Sequence, residues 1–253
     1  MYKRQVDAFA AETAQLDAYL AALPTEQWQH ASACPGWSVG DVVLHLAQTE
    51  EAVVNTFAAG MAQPSSTEQV VDAAARIGGA VDRLAEAGVA AERTDDPAAL
   101  LDRWRAAHAA SIALLRAADP HDRVNWVTVP LATRTLTATR LSEHWIHSMD
   151  IREPLGDPAP DTDRLRFIAR LAWRTLPYAF GREGEDTPSV ALRLTGPSGA
   201  PWDFGDDGAD VTITGPAGDW CRVAARRIPP DATALDTTGD RAARVLELVR
   251  TYA

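Results

Sequence analysis

The 253-residue sequence contains few cysteines, and this scarcity excludes two classes of protein. Its two cysteines, Cys34 and Cys221, lie far apart in the chain and form no CxxC or Cys/His zinc-finger spacing. A disulfide-stabilised secreted domain and a structural zinc finger are therefore not expected. The reducing cytosol is the compartment that this cysteine usage favours.

The sequence also lacks long apolar runs and an excess of positive charge. No run approaches the roughly 18 apolar residues needed to span a bilayer, and the N-terminal segment has no hydrophobic region typical of a signal peptide. With 24 basic and 35 acidic residues, the net charge is −11, which repels the phosphate backbones of nucleic acids. We expect a cytoplasmic monomer or homodimer that binds neither membranes nor nucleic acids.

Apolar residues recur at helical spacing through the first 156 residues. The first helical segment ends at Pro24, and Ser38 is the predicted N-cap of the next helix, with Asp41 completing a capping box. A connector over 119–135 precedes the last helix, and no strand is expected before residue 150. Four long helices with a long crossover connection predict a four-helix bundle. The other predicted helices cover about 68–86, 97–118 and 136–153.

The pattern changes after a segment rich in proline and aspartate at 157–163, which we interpret as a linker. A helix is predicted over about 164–180. Val190, Leu192 and Leu194 then alternate with their neighbours at the period of a half-buried strand. Two more strands are predicted in APWDFG and DVTITG, and two helices close the chain. The sequence thus predicts an α+β fold, with the bundle at 1–156 and a small α+β domain at 164–253.

One predicted bundle helix carries a stripe of polar residues. Glu143 and His147 are four residues apart, so their side chains project from the same face, and Arg140 and Asp150 continue the stripe. A carboxylate oxygen and an imidazole nitrogen can supply two metal ligands. His45, at the edge of the apolar stripe of its own helix, is the best third ligand. Three protein ligands would leave one coordination position open, as in catalytic zinc sites.

Several alternatives compete with this interpretation. His45 could be a core histidine that bonds to a backbone carbonyl or a water. His144 is three residues from His147 and could be a ligand, but it is turned about 100° from Glu143 and is expected to face a neighbouring helix or solvent. Cys34, in a CPGW turn, is interpreted as a buried structural thiol rather than a nucleophile. The remaining histidines lie in surface-like sequence contexts: His30, His108 and His121.

Two stretches, CPGWSVGDVVLHLA and TRLSEHWIHSMDIREPLG, resemble the mycothiol-dependent maleylpyruvate isomerase-like family, part of the DinB/YfiT-like superfamily of metal-binding four-helix bundles. The first stretch has the Cys-Pro-x-Trp turn and a helix with a single histidine. The second has the Glu-x-x-x-His pair. The resemblance covers nearly the whole chain, because the family commonly adds a small α/β domain resembling a sterol carrier protein. The sequence looks closest to an actinobacterial branch.

The resemblance implies that His45, Glu143 and His147 bind Zn²⁺ or another divalent metal, and that mycothiol is the thiol cosubstrate. The thiolate would attack a small electrophile, giving S-transfer or cis–trans isomerisation of a double bond. The family's isomerase holds a dicarboxylate with arginines, for which Arg227 is the C-terminal candidate, unless it is a solvated surface arginine. Asp150 is expected either to orient a ligand or substrate or to be a helix-end charge.

Two other functions remain open at this point. A metal-bound hydroxide could drive hydrolysis or isomerisation without a thiol. Alternatively, the three ligands could belong to a zinc-binding regulatory module that catalyses no reaction.

Overall fold

The computed structural model describes residues 2–62, 79–126 and 129–251. The chain divides into two compact units, Met1–Ala159 and Pro160–Ala253. The described part of the first unit is mainly helical, and the second combines a sheet with helices. The predicted α+β class is therefore confirmed.

Four long helices form the body of the first unit. Helix α1 packs against α4 and α5, and α2 packs against the same two helices, so the four helices form a ring. The shorter α3 packs against α2. Buried apolar side chains such as Phe9, Leu46 and Trp104 fill the interior. The α-helices within the described residues of this unit are α1 (Tyr2–Ala21), α2 (Val39–Ala58), α3 (Ala80–Glu92), α4 (Pro97–Ala117) and α5 (Thr133–Arg152).

The start of α2 is fixed by the predicted capping box. The Ser38 hydroxyl accepts a hydrogen bond from the Asp41 amide at 3.1 Å, and the Asp41 carboxylate accepts one from the Ser38 amide at 2.9 Å. These two bonds satisfy backbone donors that the first helical turn leaves unpaired. The register of α2, and with it the direction in which His45 projects, is therefore set within the first turn.

The expectation of a strand-free first unit is wrong. The connector forms an antiparallel hairpin from β1 (Arg123–Trp126) and β2 (Val129–Ala132). Val124 is fully buried, and the Thr56 hydroxyl donates to the Asn125 carbonyl at 3.0 Å, which holds the hairpin against α2. The alternation of polar and apolar residues in the short RVNW segment is the sequence feature that indicates β1.

Two predicted helix boundaries in the first unit also change. Helix α5 begins at Thr133, directly after the hairpin, rather than near Leu136. Of the helix predicted over 68–86, the stretch 68–78 lies outside the described residues. The described helix there is α3, which continues beyond Glu86 to Glu92.

The second unit contains a mixed four-stranded sheet in the order β4-β3-β5-β6. Strands β3 and β5 are parallel, while β3–β4 and β5–β6 are antiparallel. The three predicted strands are present, and β6 was missed because its three residues are all exposed and carry no apolar alternation. The strands are β3 (Val190–Thr195), β4 (Pro201–Phe204), β5 (Val211–Pro216) and β6 (Asp236–Thr238).

The helix predicted over 164–180 is two helices, α6 (Leu165–Arg174) and α7 (Leu176–Arg182). Pro177 has no backbone N–H to donate to the Trp173 carbonyl, so the helical ladder is interrupted at this point. Helices α8 (Ala217–Ala224) and α9 (Ala242–Leu248) complete the unit. None of the helices in the described ranges is long and apolar enough to cross a bilayer.

Candidate metal centre

Three predicted ligands converge inside the first unit. His45 projects from α2, and Glu143 and His147 project from successive turns of α5. One donor atom from each residue lies within 4.8 Å of the other two. Glu143 Oε2 is 3.6 Å from His147 Nε2, and the ring centroids of His45 and His147 are 5.1 Å apart. The structure therefore brings together the set that the sequence pattern selected.

The chemistry of this donor set fits zinc. Two imidazole nitrogens and one carboxylate oxygen are typical ligands of Zn²⁺ sites with three protein ligands. At zinc bond lengths of about 2.0–2.2 Å, donors in a tetrahedral site lie roughly 3.3–3.6 Å apart, close to the Glu143–His147 separation of 3.6 Å. The Glu143 side chain remains 23% exposed, so this donor is not sealed from solvent.

Asp150 bonds to the nitrogen of His147 that faces away from the other two predicted ligands. His147 Nδ1 donates to Asp150 Oδ2 at 2.9 Å, and the Asp150 side chain is almost fully buried. The bond fixes both the orientation and the tautomer of the ring, and leaves Nε2 directed towards Glu143. A carboxylate behind a histidine is the usual outer arrangement of metal-binding imidazoles. The expected orienting role of Asp150 agrees with this geometry and stays a prediction.

The charge states of the three residues differ because their surroundings differ. Burial and the neighbouring His147 charge lower the pKa of His45 to about 3. Burial acts to raise the pKa of Glu143, but the hydrogen bond from His147 and the Arg140 charge outweigh it and lower this pKa to about 2. Burial also opposes protonation of His147, yet bonds to Asp150, Cys34 and Glu143 raise its pKa well above 6.5. Without a metal, the proton of the cluster therefore resides on His147.

A buried ion pair lies beside the three residues, and sequence reasoning missed half of it. Arg140 Nε donates to Glu50 Oε1 at 2.7 Å, with side-chain exposures of 2% and 0%. Glu50 also accepts from the Ser111 hydroxyl, and Arg140 donates to Thr49 Oγ1 at 2.7 Å. The pair links α2 to α5, the two helices that carry the three predicted ligands. The signal in the sequence is Arg140 within the predicted polar stripe of its helix, because an arginine on an interior face needs an acidic or other acceptor partner.

His144 is not placed to bind a metal with the other three residues. Its Nδ1 donates to the Arg140 carbonyl at 3.0 Å, and its Nε2 accepts from Trp104 Nε1 at 3.2 Å. Both nitrogens are thus engaged, and burial lowers the pKa of His144 well below 6.5. The ring faces the neighbouring helix α4 rather than solvent, as one of the two expected orientations required.

The surface interpretation holds for two of the other three histidines. His30 and His121 are exposed. His108 is not a surface histidine, because both of its ring nitrogens are buried and its ring lies 4.5 Å from that of Trp104. His108 lies four residues after the buried Trp104 and therefore on the same face of the helix. This spacing is the sequence feature that indicates its burial.

Cys34 departs from the buried structural thiol that was expected. It is half-buried, and its thiol donates to Asp150 Oδ2 at 3.2 Å. Pro35 and Gly36, with φ +79°, form the centre of the predicted turn, which the Trp37 amide closes on the Cys34 carbonyl at 3.1 Å. The ring of Trp37 lies 5.2 Å from that of His45 and covers one side of it. Cys221 is fully buried, in agreement with its core assignment.

Arg227 belongs to the second unit, just after α8. Its Nη1 donates to the Ala225 carbonyl at 2.9 Å, and the residue is partly exposed. This local contact does not identify a substrate, so the expected substrate-binding role of Arg227 stays a prediction.

Comparisons with known proteins cover nearly the whole chain. The profile of the mycothiol maleylpyruvate isomerase N-terminal domain matches residues 9–152, and that of the MDMPI C-terminal domain matches residues 160–245. An uncharacterized protein of Mycobacterium tuberculosis, found in two strains, is 32% identical over 247 residues, which cover 96% of this chain and 93% of the relative.

Two solved structures share the fold. They are crystal structures of the mycothiol-dependent maleylpyruvate isomerase and of its histidine-to-alanine mutant, with TM-scores of 0.61 and 0.63. Both are 18% identical to this chain, and the alignments cover 94% of it and 93% of the solved chains. The resemblance predicted from two sequence stretches is confirmed by both domain profiles. This protein belongs to the mycothiol maleylpyruvate isomerase family.

Proposed function

We propose that this protein is an enzyme that uses a divalent metal, Zn²⁺, to activate mycothiol or a similar low-molecular-weight thiol. The activated thiol would isomerise a double bond in a small electrophile or be transferred to it. The convergence of His45, Glu143 and His147 within 4.8 Å carries this proposal. Membership of a family named for mycothiol-dependent isomerisation adds the thiol and the reaction class.

The donor set suits thiol activation because of its charge. When bound, zinc would supply a Lewis acid that deprotonates a coordinating thiol at neutral pH. His45 and a deprotonated His147 contribute no charge, and Glu143 contributes a single negative charge. The centre would thus retain net positive charge, which favours an anionic sulfur. Three carboxylates would remove that charge.

The surrounding residues hold the donors in place. Asp150 keeps a proton on Nδ1 of His147 and so presents Nε2 as a lone-pair donor. Trp37 covers His45 on one side, and the Arg140–Glu50 pair connects the two helices from which the donors project. In this proposal Arg227 would pair with a carboxylate of the electrophile, a role that rests on the family resemblance alone.

Titration of the metal-loaded protein with mycothiol tests the proposed function. We expect binding with release of the thiol proton, detected by calorimetry in buffers of different ionisation enthalpy. His45→Ala should lose both signals, while His30→Ala, at an exposed histidine of the same unit, should retain them. Mycothiol binding that survives metal removal would overturn the thiolate mechanism and favour a binding module. Metal without mycothiol binding would favour the hydroxide-based alternative.

Metal binding itself is expected to depend on pH through His147. Its raised pKa means that the ring is protonated at neutral pH without metal, so an incoming ion must displace a proton. Affinity should fall about tenfold per pH unit below the pKa of His147 and level off above it. His45 and Glu143, with pKa values of about 3 and 2, should release none at pH 7. Calorimetry showing no proton release at pH 7 would contradict this assignment.

A further inference from the structure

We propose that Cys34, Asp150 and Nδ1 of His147 form a second metal position, selective for thiophilic ions such as Cd²⁺ or excess Zn²⁺. It lies on the side of the His147 ring opposite to Nε2, the nitrogen directed towards Glu143. The proposal needs neither mycothiol chemistry nor a metal at the first position. His147 would be the residue shared by the two positions.

The distances among these three donors match those around a single ion. Cys34 Sγ is 3.2 Å from Asp150 Oδ2, His147 Nδ1 is 2.9 Å from the same oxygen, and Sγ is 3.9 Å from Nδ1. A tetrahedral ion with a metal–sulfur bond of about 2.3 Å and metal–nitrogen and metal–oxygen bonds of about 2.0–2.2 Å separates its donors by roughly 3.3–3.6 Å. The three observed distances bracket this range, so the donors need to move by only a few tenths of an ångström.

The backbone holds the thiol in this place. The Ala33 amide donates to the Asp150 carbonyl at 2.8 Å, which ties the turn directly to α5. The Cys34 amide donates to Ser32 Oγ at 3.1 Å, and the Trp37 amide closes the turn at 3.1 Å. The thiol is therefore positioned by a constrained turn, and the acid that it meets is almost fully buried.

The donor types determine which ions would bind. One sulfur, one nitrogen and one oxygen suit Zn²⁺ and Cd²⁺, whereas Mg²⁺ and Ca²⁺ prefer sites built from oxygen. Binding would displace two protons to solvent, one from the Cys34 thiol and one from His147 Nδ1. With both positions filled, the His147 ring would bridge the ions as an imidazolate. Asp150 would then hold an ion in place of the His147 proton.

Titration of the metal-free full-length chain with Cd²⁺ tests the second position. We expect two equivalents per chain and a thiolate-to-metal charge-transfer absorption. Cys34→Ser should lose that absorption and one equivalent. Cys221→Ser is the matched control, because it changes the other cysteine, which is buried in the second unit, and it should retain both signals. Cd²⁺ should also protect Cys34 of the unmodified chain from iodoacetamide, a readout that no variant's folding can affect.

A third variant separates this proposal from the proposed function. His45→Ala should lose the equivalent at the first position and keep the charge-transfer absorption. The second position is refuted if unmodified protein binds Cd²⁺ without a thiolate signal, or if that signal persists in Cys34→Ser. If His45→Ala instead leaves metal binding unchanged, the first position is wrong, and the result from Cys34→Ser still decides the second.

Discussion

His147→Ala is expected to lose bound divalent metal, with a decrease in affinity of more than about 100-fold. Loss of a residue that only orients a ligand already costs about 10–100-fold, and this substitution removes one of the proposed ligands. His147 also contributes to both proposed positions, so no intact set of three donors would remain in either. Metal content after dialysis, together with competition against a chromophoric chelator, measures the change. The mycothiol-dependent turnover proposed for this protein should disappear with the metal.

The fold of the variant should survive, which makes the experiment informative. His147 is 8% exposed at the edge of a bundle whose interior is filled by other apolar side chains, so circular dichroism should show unchanged helix content. His30→Ala provides the control, since His30 is exposed and its Nδ1 bonds to the neighbouring Ala31 carbonyl at 2.9 Å. Stoichiometric metal in a folded His147→Ala protein would show that the three residues are not the ligands.

The proposed ligand set could be selected from the sequence because helical geometry fixes which side chains share a face. Glu143 and His147 share a face because residues four apart in a helix project from the same side. In α2, His45 is the single histidine within an apolar run. Only the approach of α2 to α5 had to be assumed. In a four-helix bundle, helices that are distant in sequence commonly face each other across the interior.

The environment of the proposed ligands could not be predicted in the same way. Cys34 and Asp150 are 116 residues apart, and their contact depends on a turn that the Ala33 amide ties to α5. Glu50 lies five residues after His45, a spacing that places the two side chains about 140° apart around the helix axis rather than on one face. Its partner, Arg140, is 90 residues away. These contacts follow from tertiary packing, which neither spacing nor periodicity encodes.

The hairpin of the first unit and the divided helix of the second unit show a different limit of prediction from sequence. The RVNW alternation and Pro177 were both visible in the sequence, but each is a weak local signal within a longer stretch. A four-residue strand becomes stable only because Val124 is buried and paired. The helix over 164–180 continues in the sequence pattern, and it is the missing N–H of Pro177 that divides it.

Glu50→Ala is expected to reduce the free energy of unfolding by about 3–5 kcal/mol, the cost of leaving a buried charge without its partner. Arg140 would remain 2% exposed opposite a cavity, and Ser111 would lose its acceptor. Urea denaturation followed by circular dichroism measures the loss. The loss should appear in the unfolding transition of the first unit, because both helices joined by this ion pair belong to that unit.

The adjacent residue supplies a matched control. Glu51 accepts from Arg103 at 2.7 Å, but the two side chains are 39% and 34% exposed, so Glu51→Ala should cost no more than about 1 kcal/mol. Replacing both buried charges, with Glu50→Leu and Arg140→Met, should recover much of the stability lost in Glu50→Ala, because no unpaired charge would remain. Equal costs at positions 50 and 51 would mean that the buried pair does not hold α2 and α5 together. In that case the alignment of His45 with Glu143 and His147 would depend on apolar packing alone.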